Sequence, residues 1–271
     1  MTRIVFWNVN NRDLTDAVCA LAVSTAADVL ILNENTVPSS ATLHALQRSV
    51  SADFYYPTFI SEKRFHCFCR NASLDVSEIH EGFRTSVRKF RLGHQRILLV
   101  LVHGLDVRNY DSNKRLLFTA KLADEIKFIK EDKKNNKLVL LGDFNMNPYD
   151  DGMNEAEGLN AMMTKACAEK RTRGYLTKDY DLYYNPMWSL FGDNTKGPAG
   201  TIYNSKSRQG PYGWSIFDQV ILHHLLIPFF QDVEIVTKAG NHSLMDKNGH
   251  PDAKNASDHF PIIVDFHGGQ Q

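Results

Sequence analysis

At 271 residues, with 43% hydrophobic and 23% charged side chains, the chain has the size and composition of a soluble globular protein that buries its core without disulfides or a structural metal. Its 31 basic residues balance 31 acidic ones, which excludes a strongly cationic nucleic-acid coat and an acidic solvating tail while leaving room for a local basic groove. No apolar run approaches the roughly 20 residues that span a bilayer, so no stable membrane insertion is expected, and four cysteines are too few for a disulfide framework.

The first apolar run, 4–7, begins too early to leave room for a basic leader and cleavage site, which points to a cytoplasmic protein. A helical pattern at 13–26 follows, with Leu14, Val18, Leu21 and Ala22 on one face. Next come an unbroken apolar run at 29–32 and a helix at 40–50 built on Leu43, Leu46 and Val50. The run 65–68 leads into Cys69, and alternation puts Cys67 and Cys69 on one face. With no second cysteine pair to support zinc, they read as small core hydrophobes. Strands at 85–90 and 97–102 precede a long amphipathic helix at 113–131, a second unbroken apolar run at 138–141 and a further helical pattern at 155–169. An irregular segment, 183–213, rich in Asn, Gly, Pro and Ser, separates these from strands at 216–222, 233–236 and 261–266. Runs that are apolar at every position fit strands covered on both faces, so the chain reads as one alternating α/β domain over 1–267 with a frayed tail at 268–271.

Polar residues concentrate at the ends of these strands. The first ends in Trp7-Asn8-Val9-Asn10, the second in Asn33-Glu34-Asn35, and a later one in Gly142-Asp143-Phe144-Asn145. Asp218 interrupts the apolar run 216–222, and Ser257-Asp258-His259-Phe260-Pro261 precedes the last strand. Ligands of α/β domains sit beyond strand carboxyl ends. Several carboxylates gathered there are costly without a cation, and oxygen ligands suit a hard ion, Mg²⁺ or Mn²⁺, rather than zinc.

In these motifs, in order and spacing from Trp7 to Pro261, the sequence resembles the endonuclease/exonuclease/phosphatase superfamily of metal-dependent phosphodiesterases and phosphatases. The resemblance implies a four-layer α/β sandwich, two packed mixed β-sheets flanked by helices. It implies Glu34 as metal ligand, with Asn8 and Asp258 beside the metal, and His103 as a phosphate contact. It further implies Asp143 and Asn145 at the nucleophile, leaving group and phosphoryl oxygens, Asp218 orienting a histidine, and His259 as that histidine, acting as base or phosphate ligand. Asn10, Asn33 and Gln219 depart from the pattern of the AP-endonuclease branch, yet every acid, base and amide position of the core is filled.

Two acid-free stretches are candidates for holding an anionic substrate. One, 84–96, carries Arg84, Arg88, Lys89, Arg91 and Arg96; the other, 194–217, combines Lys196, Lys206 and Arg208 with Tyr203, Tyr212 and Trp214. Basic groups track phosphates and aromatics stack on bases, so Lys206, Arg208, Tyr203 and Trp214 are the substrate-binding candidates. The expected function is a metal-dependent nuclease cleaving DNA or RNA by water attack on phosphorus, with nucleic acid as substrate. The alternative is a phosphatase or phosphodiesterase acting on phosphoinositide, sphingomyelin-like or small nucleotide substrates. A non-catalytic binding module would show loss of Glu34, Asp143 or His259, and none is lost.

Overall fold

The computed structural model describes residues 1–57, 64–193, 197–206 and 211–267. Its first large sheet contains β1 (Thr2–Asn8), β2 (Val29–Asn33) and β3 (Phe65–Cys69), in the order Phe230–Ile235, Ile262–Phe266, β1, β2, β3. The second contains β4 (Ser77–Glu81), β5 (Thr85–Leu92), β6 (Gln95–His103) and β7 (Leu138–Asp143). It continues from β7 through Asp218–His223 and Tyr183–Tyr184 to Ala161–Met162. Both sheets are mixed: β1 runs parallel to β2 and β6 parallel to β7, while the remaining pairs of long strands are antiparallel.

The helices α1 (Thr15–Thr25), α2 (Ser39–Ser49) and α3 (Ser112–Lys133) supply the outer layers. Alternation along β6 and β7 explains their unbroken apolar character. Leu99, Leu101, Val139 and Leu141 enter the core shared with the first sheet, whereas Leu98, Val100, Leu138 and Leu140 pack with Leu122, Ile126 and Ile129 of α3. Val18, Leu21 and Ala22 of α1 and Leu46 of α2 join the core of the first sheet. The result is helix on sheet on sheet on helix. α3 starts at Asp111, whose side chain accepts from the Lys114 backbone N–H, and stops at Lys134 in the left-handed conformation.

Three expectations are corrected. The pattern at 155–169 is not one helix: short helices at Asp151–Asn154 and Lys165–Ala168 flank the strand Ala161–Met162. Gly158 packs so closely that a Cβ there would lie 2.3 Å from the Gly152 carbonyl oxygen, and Asn160 has φ +52°, so the chain turns where periodicity continues. The segment 183–213 is not wholly irregular; it holds Tyr183–Tyr184, a 3₁₀ turn at Pro186–Leu190 and the strand Ile202–Asn204, paired with Gly213–Ser215. And β4 was not anticipated, because its inward Glu78 is balanced by Arg88 of β5 in a buried ion pair at 3.1 Å. Arg88 is therefore a core residue and not a substrate contact. Arg208, Lys196 and the tail 268–271 lie outside the described residues. Among the described residues no helix is long and apolar enough to cross a membrane.

Candidate active site

Strand register assembles the site. In the first sheet Asn8 pairs with Asn33, so Glu34 emerges beside the end of β1. In the second, Asp143 faces His103 on one side and Asp218 on the other. Gly142 permits that approach, since a Cβ there would sit 1.9 Å from the Val102 carbonyl oxygen. The two sheets then meet through Asn8, whose Nδ2 donates to Asp143 Oδ2 at 3.0 Å and to Glu34 Oε1 at 3.2 Å. Glu34, at φ +54°, also accepts from Asn11 Nδ2 at 2.7 Å and lies 3.3 Å from His103 Nε2.

At the other end, His259 Nδ1 donates to Asp218 Oδ2 at 2.8 Å, with its Nε2 4.0 Å from Asp143 Oδ2. The pair is buried: Asp218 is fully enclosed and His259 is 7% exposed. Burial works against a charged imidazole, but Asp218, Asp143 and Asp258 together overcome it and push His259 up to about 10. Burial raises the Asp143 carboxyl, with Asp218 adding to the effect and His259 opposing it. Glu34 goes the other way: burial alone would raise it, yet His103, Asn8 and His259 hold it down at about 2.

The backbone around these groups is fixed by a further set of hydrogen bonds, in which Thr201 has no counterpart among the sequence candidates. Ser257 Oγ donates to the Asn8 carbonyl and accepts from the His259 amide, and Trp7 Nε1 donates to the His259 carbonyl. Thr201, completely buried, accepts on Oγ1 from the amides of Phe217 and Asp218, and its carbonyl accepts from Phe260. Asn145, at φ +53°, has its amide on Asp143 Oδ1 and its carbonyl on Arg115. Gln219 spans Met146, Ile216 and Asn185 from inside the strand, which gives its departure from the family pattern a structural role. Serine and threonine are common everywhere, so no sequence signal distinguishes Thr201, whereas Ser257 opens the Ser257–Pro261 motif and Asn11 is the third asparagine of Asn8, Asn10 and Asn11.

Ligand atoms of Glu34, His103 and Asp143 lie within 4.8 Å of one another, as do those of Asp143, Asp218 and His259. The second group is already satisfied by the proton between His259 and Asp218. The first, two carboxylates with one imidazole and the Asn8 amide beside them, is a group able to hold a divalent cation. Asp258 belongs to neither group, although its buried Oδ1 has no hydrogen-bond partner among the described residues. Of the expected substrate contacts, Tyr203 and Trp214 face each other across a hairpin at 5.2 Å between ring centroids, with Lys206 exposed nearby. His250 stacks on Tyr203 at 3.6 Å, and Trp214 stacks on Phe260 at 6.3 Å. Ile202 of this hairpin bridges to His259, so the hairpin borders the site.

The sequence pattern of the Endonuclease/Exonuclease/phosphatase family matches residues 5–259. This chain belongs to that family. It is a hydrolase acting on phosphate ester bonds, with the two ends of the matched span meeting at Asn8 and His259. Among solved structures, truncated TDP2 from Caenorhabditis elegans superposes with a TM-score of 0.59 at 16% identity, covering 98% of this chain and 97% of that one. TDP2 from D. rerio, complexed with single strand DNA product, gives 0.55 at 15%, covering 98% of each chain. The endonuclease domain of TRAS1, a telomere-specific non-LTR retrotransposon, gives 0.52 at 11%, again covering 98% of each. At these identities the likeness is one of fold. No curated protein matches the sequence.

Proposed function

We propose that this protein is a metal-dependent phosphodiesterase that cleaves nucleic acid, with Mg²⁺ or Mn²⁺ held by Glu34 and His103 beside Asn8, Asp143 next to the ion, and Asp258 at the edge of the site. The observation that carries this reading is the junction at Asp143, where one buried carboxylate is shared by the Asn8 amide, the cation group and the His259–Asp218 pair. A bound divalent ion supplies Lewis-acid polarisation of a phosphoryl oxygen and stabilises the leaving oxygen.

The side chains divide the remaining work. His259, charged at neutral pH, donates from Nε2 to a developing phosphoryl oxygen, while Asp218 fixes the ring. Asp143, made more basic by burial, takes the proton of the attacking water. Of the two roles open to His259 from the sequence, base or phosphate ligand, its charge favours the second. Asn8 holds Asp143 and Glu34 in place, Asn145 contributes an amide donor, and the Tyr203–Trp214 hairpin, with Lys206, lines the approach for the substrate strand. The DNA product named for the D. rerio structure supports nucleic acid as the substrate class.

The test is hydrolysis of single-stranded DNA, duplex DNA and RNA, with phosphoinositide and sphingomyelin in parallel, using Mg²⁺ or Mn²⁺ and EDTA controls. Asp143→Asn is expected to lower kcat by about 10²-fold or more, and EDTA to abolish turnover. Turnover of the lipids with DNA and RNA untouched overturns the nucleic-acid reading.

A further inference from the structure

The turn between β4 and β5 places Phe83 in solvent, with 78% of the residue exposed. A single exposed apolar ring is ordinary by itself; what sets Phe83 apart is its company. Two arginines flank the ring. The guanidinium carbon of Arg84 lies 5.8 Å from its centroid and that of Arg64 lies 5.9 Å away. Neither is a loose surface cation. Arg84 Nη1 donates to the carbonyls of His103 and Gly104 at 3.3 and 2.7 Å, tying the turn to the end of β6 that delivers His103. Arg64 Nε donates to the Phe83 carbonyl at 3.2 Å, and Arg64 directly precedes β3, whose Phe65 pairs with Asn33 next to Glu34.

One arginine therefore comes from each sheet, and the two meet over one ring at the Glu34–His103 end of the site. Burial, followed by repulsion from Arg84, lowers the pKa of Arg64, with Glu81 and Glu34 opposing. An exposed aromatic ring flanked by two guanidinium groups suits a planar base and its phosphates. Inositol and phosphocholine headgroups have no planar face to offer. Inside a duplex both faces of a base are covered by its neighbours, so the base must be unstacked, which a single strand permits at every position.

We propose that Arg64, Phe83 and Arg84 form a nucleotide subsite that holds an unpaired base and its flanking phosphates, making single-stranded nucleic acid the substrate that the catalytic cleft binds. The inference rests on the phosphodiesterase reading above. The Tyr203–Trp214 hairpin borders His259 and this subsite borders His103, so a strand gripped at both crosses the cation group between them.

The test uses the cleavage-deficient Asp143→Asn protein and fluorescence anisotropy with a short single-stranded oligonucleotide, intact or carrying one abasic nucleotide moved along the strand. Adding Phe83→Ala is expected to weaken binding of the intact strand by about tenfold, with Phe83→Trp restoring it. One abasic position is expected to cost the same tenfold when Phe83 is present and nothing when it is absent. Arg64→Ala is expected to flatten the dependence of affinity on salt. Equal abasic penalties with and without Phe83, or unchanged affinity in Phe83→Ala, overturn the subsite. Wild-type hydrolysis of bis(4-nitrophenyl) phosphate, which has no base and no flanking phosphate, reads the catalytic centre separately. Turnover there with a flat abasic series removes only the subsite, whereas no turnover removes the phosphodiesterase reading.

Discussion

His259 is the residue whose surroundings most strongly determine its chemistry. Asp218 and Asp143 face opposite nitrogens of a buried ring, and together they stabilise its charged form. A folded-state pKa raised from 6.5 to about 10 contributes stability that is full below pH 6.5 and is lost as pH rises to 10. In EDTA, the urea midpoint of the wild type is expected to fall across that window relative to His259→Gln, so that the separation between the two curves closes toward pH 10. Identical pH dependence in both proteins would show that the ring is not charged in the folded state. Glu34 has the opposite sign: lowered from 4.5 to about 2, its contribution is present above 4.5 and lost as pH falls toward 2. Residues such as Asn8, Glu34, Asp143 and His259 were legible in the sequence because strand ends announce them, with apolar runs stopping on a polar group. Phe83 and Arg64 were not, since what makes them informative is their meeting, and nothing local in either stretch encodes it. Arg88 misled for a related reason: a cation on a strand reads the same facing water as facing Glu78.

At the scale of elements, the hairpin joining Ile202–Asn204 to Gly213–Ser215 is braced on the site through Thr201. Its hydroxyl accepts two buried amides, those of Phe217 and Asp218, just where the strand presents the partner of His259. Thr201→Ala leaves both amides unpaired, and a buried unsatisfied group costs about 1–3 kcal/mol. Chemical denaturation is expected to show a loss of that order, with kcat falling more than KM changes, and Thr201→Ser is expected to recover both. A loss of stability with kcat intact would assign Thr201 to folding alone. The long strands and α1, α2 and α3 were readable from periodicity because their burial is regular. The stretch 155–169 kept a helical rhythm of apolar residues, but Gly158 and Asn160 impose a backbone that no helix has. Hydrophobic spacing reports which residues face inward, while the tight approach of Gly158 to Gly152 is a tertiary fact.

For the molecule as a whole, β1 and Ile262–Phe266 are neighbours in the first sheet, although more than 250 residues of chain separate them. Trp7 and Asn8 bond to His259 and Ser257 across 252 and 249 residues of chain. Contacts of such long range are slow to form. In refolding from denaturant, recovery of hydrolytic activity is therefore expected to lag the recovery of far-ultraviolet circular dichroism, and coincident recoveries would place the closure of this strand pair early instead. The same adjacency has a consequence during synthesis. A nascent chain that has not yet reached Ser257 already carries Glu34, His103 and Asp143, but it lacks the His259 imidazole and the brace on Asn8. Chemical competence toward phosphate esters therefore waits for the segment that carries Ser257 and His259.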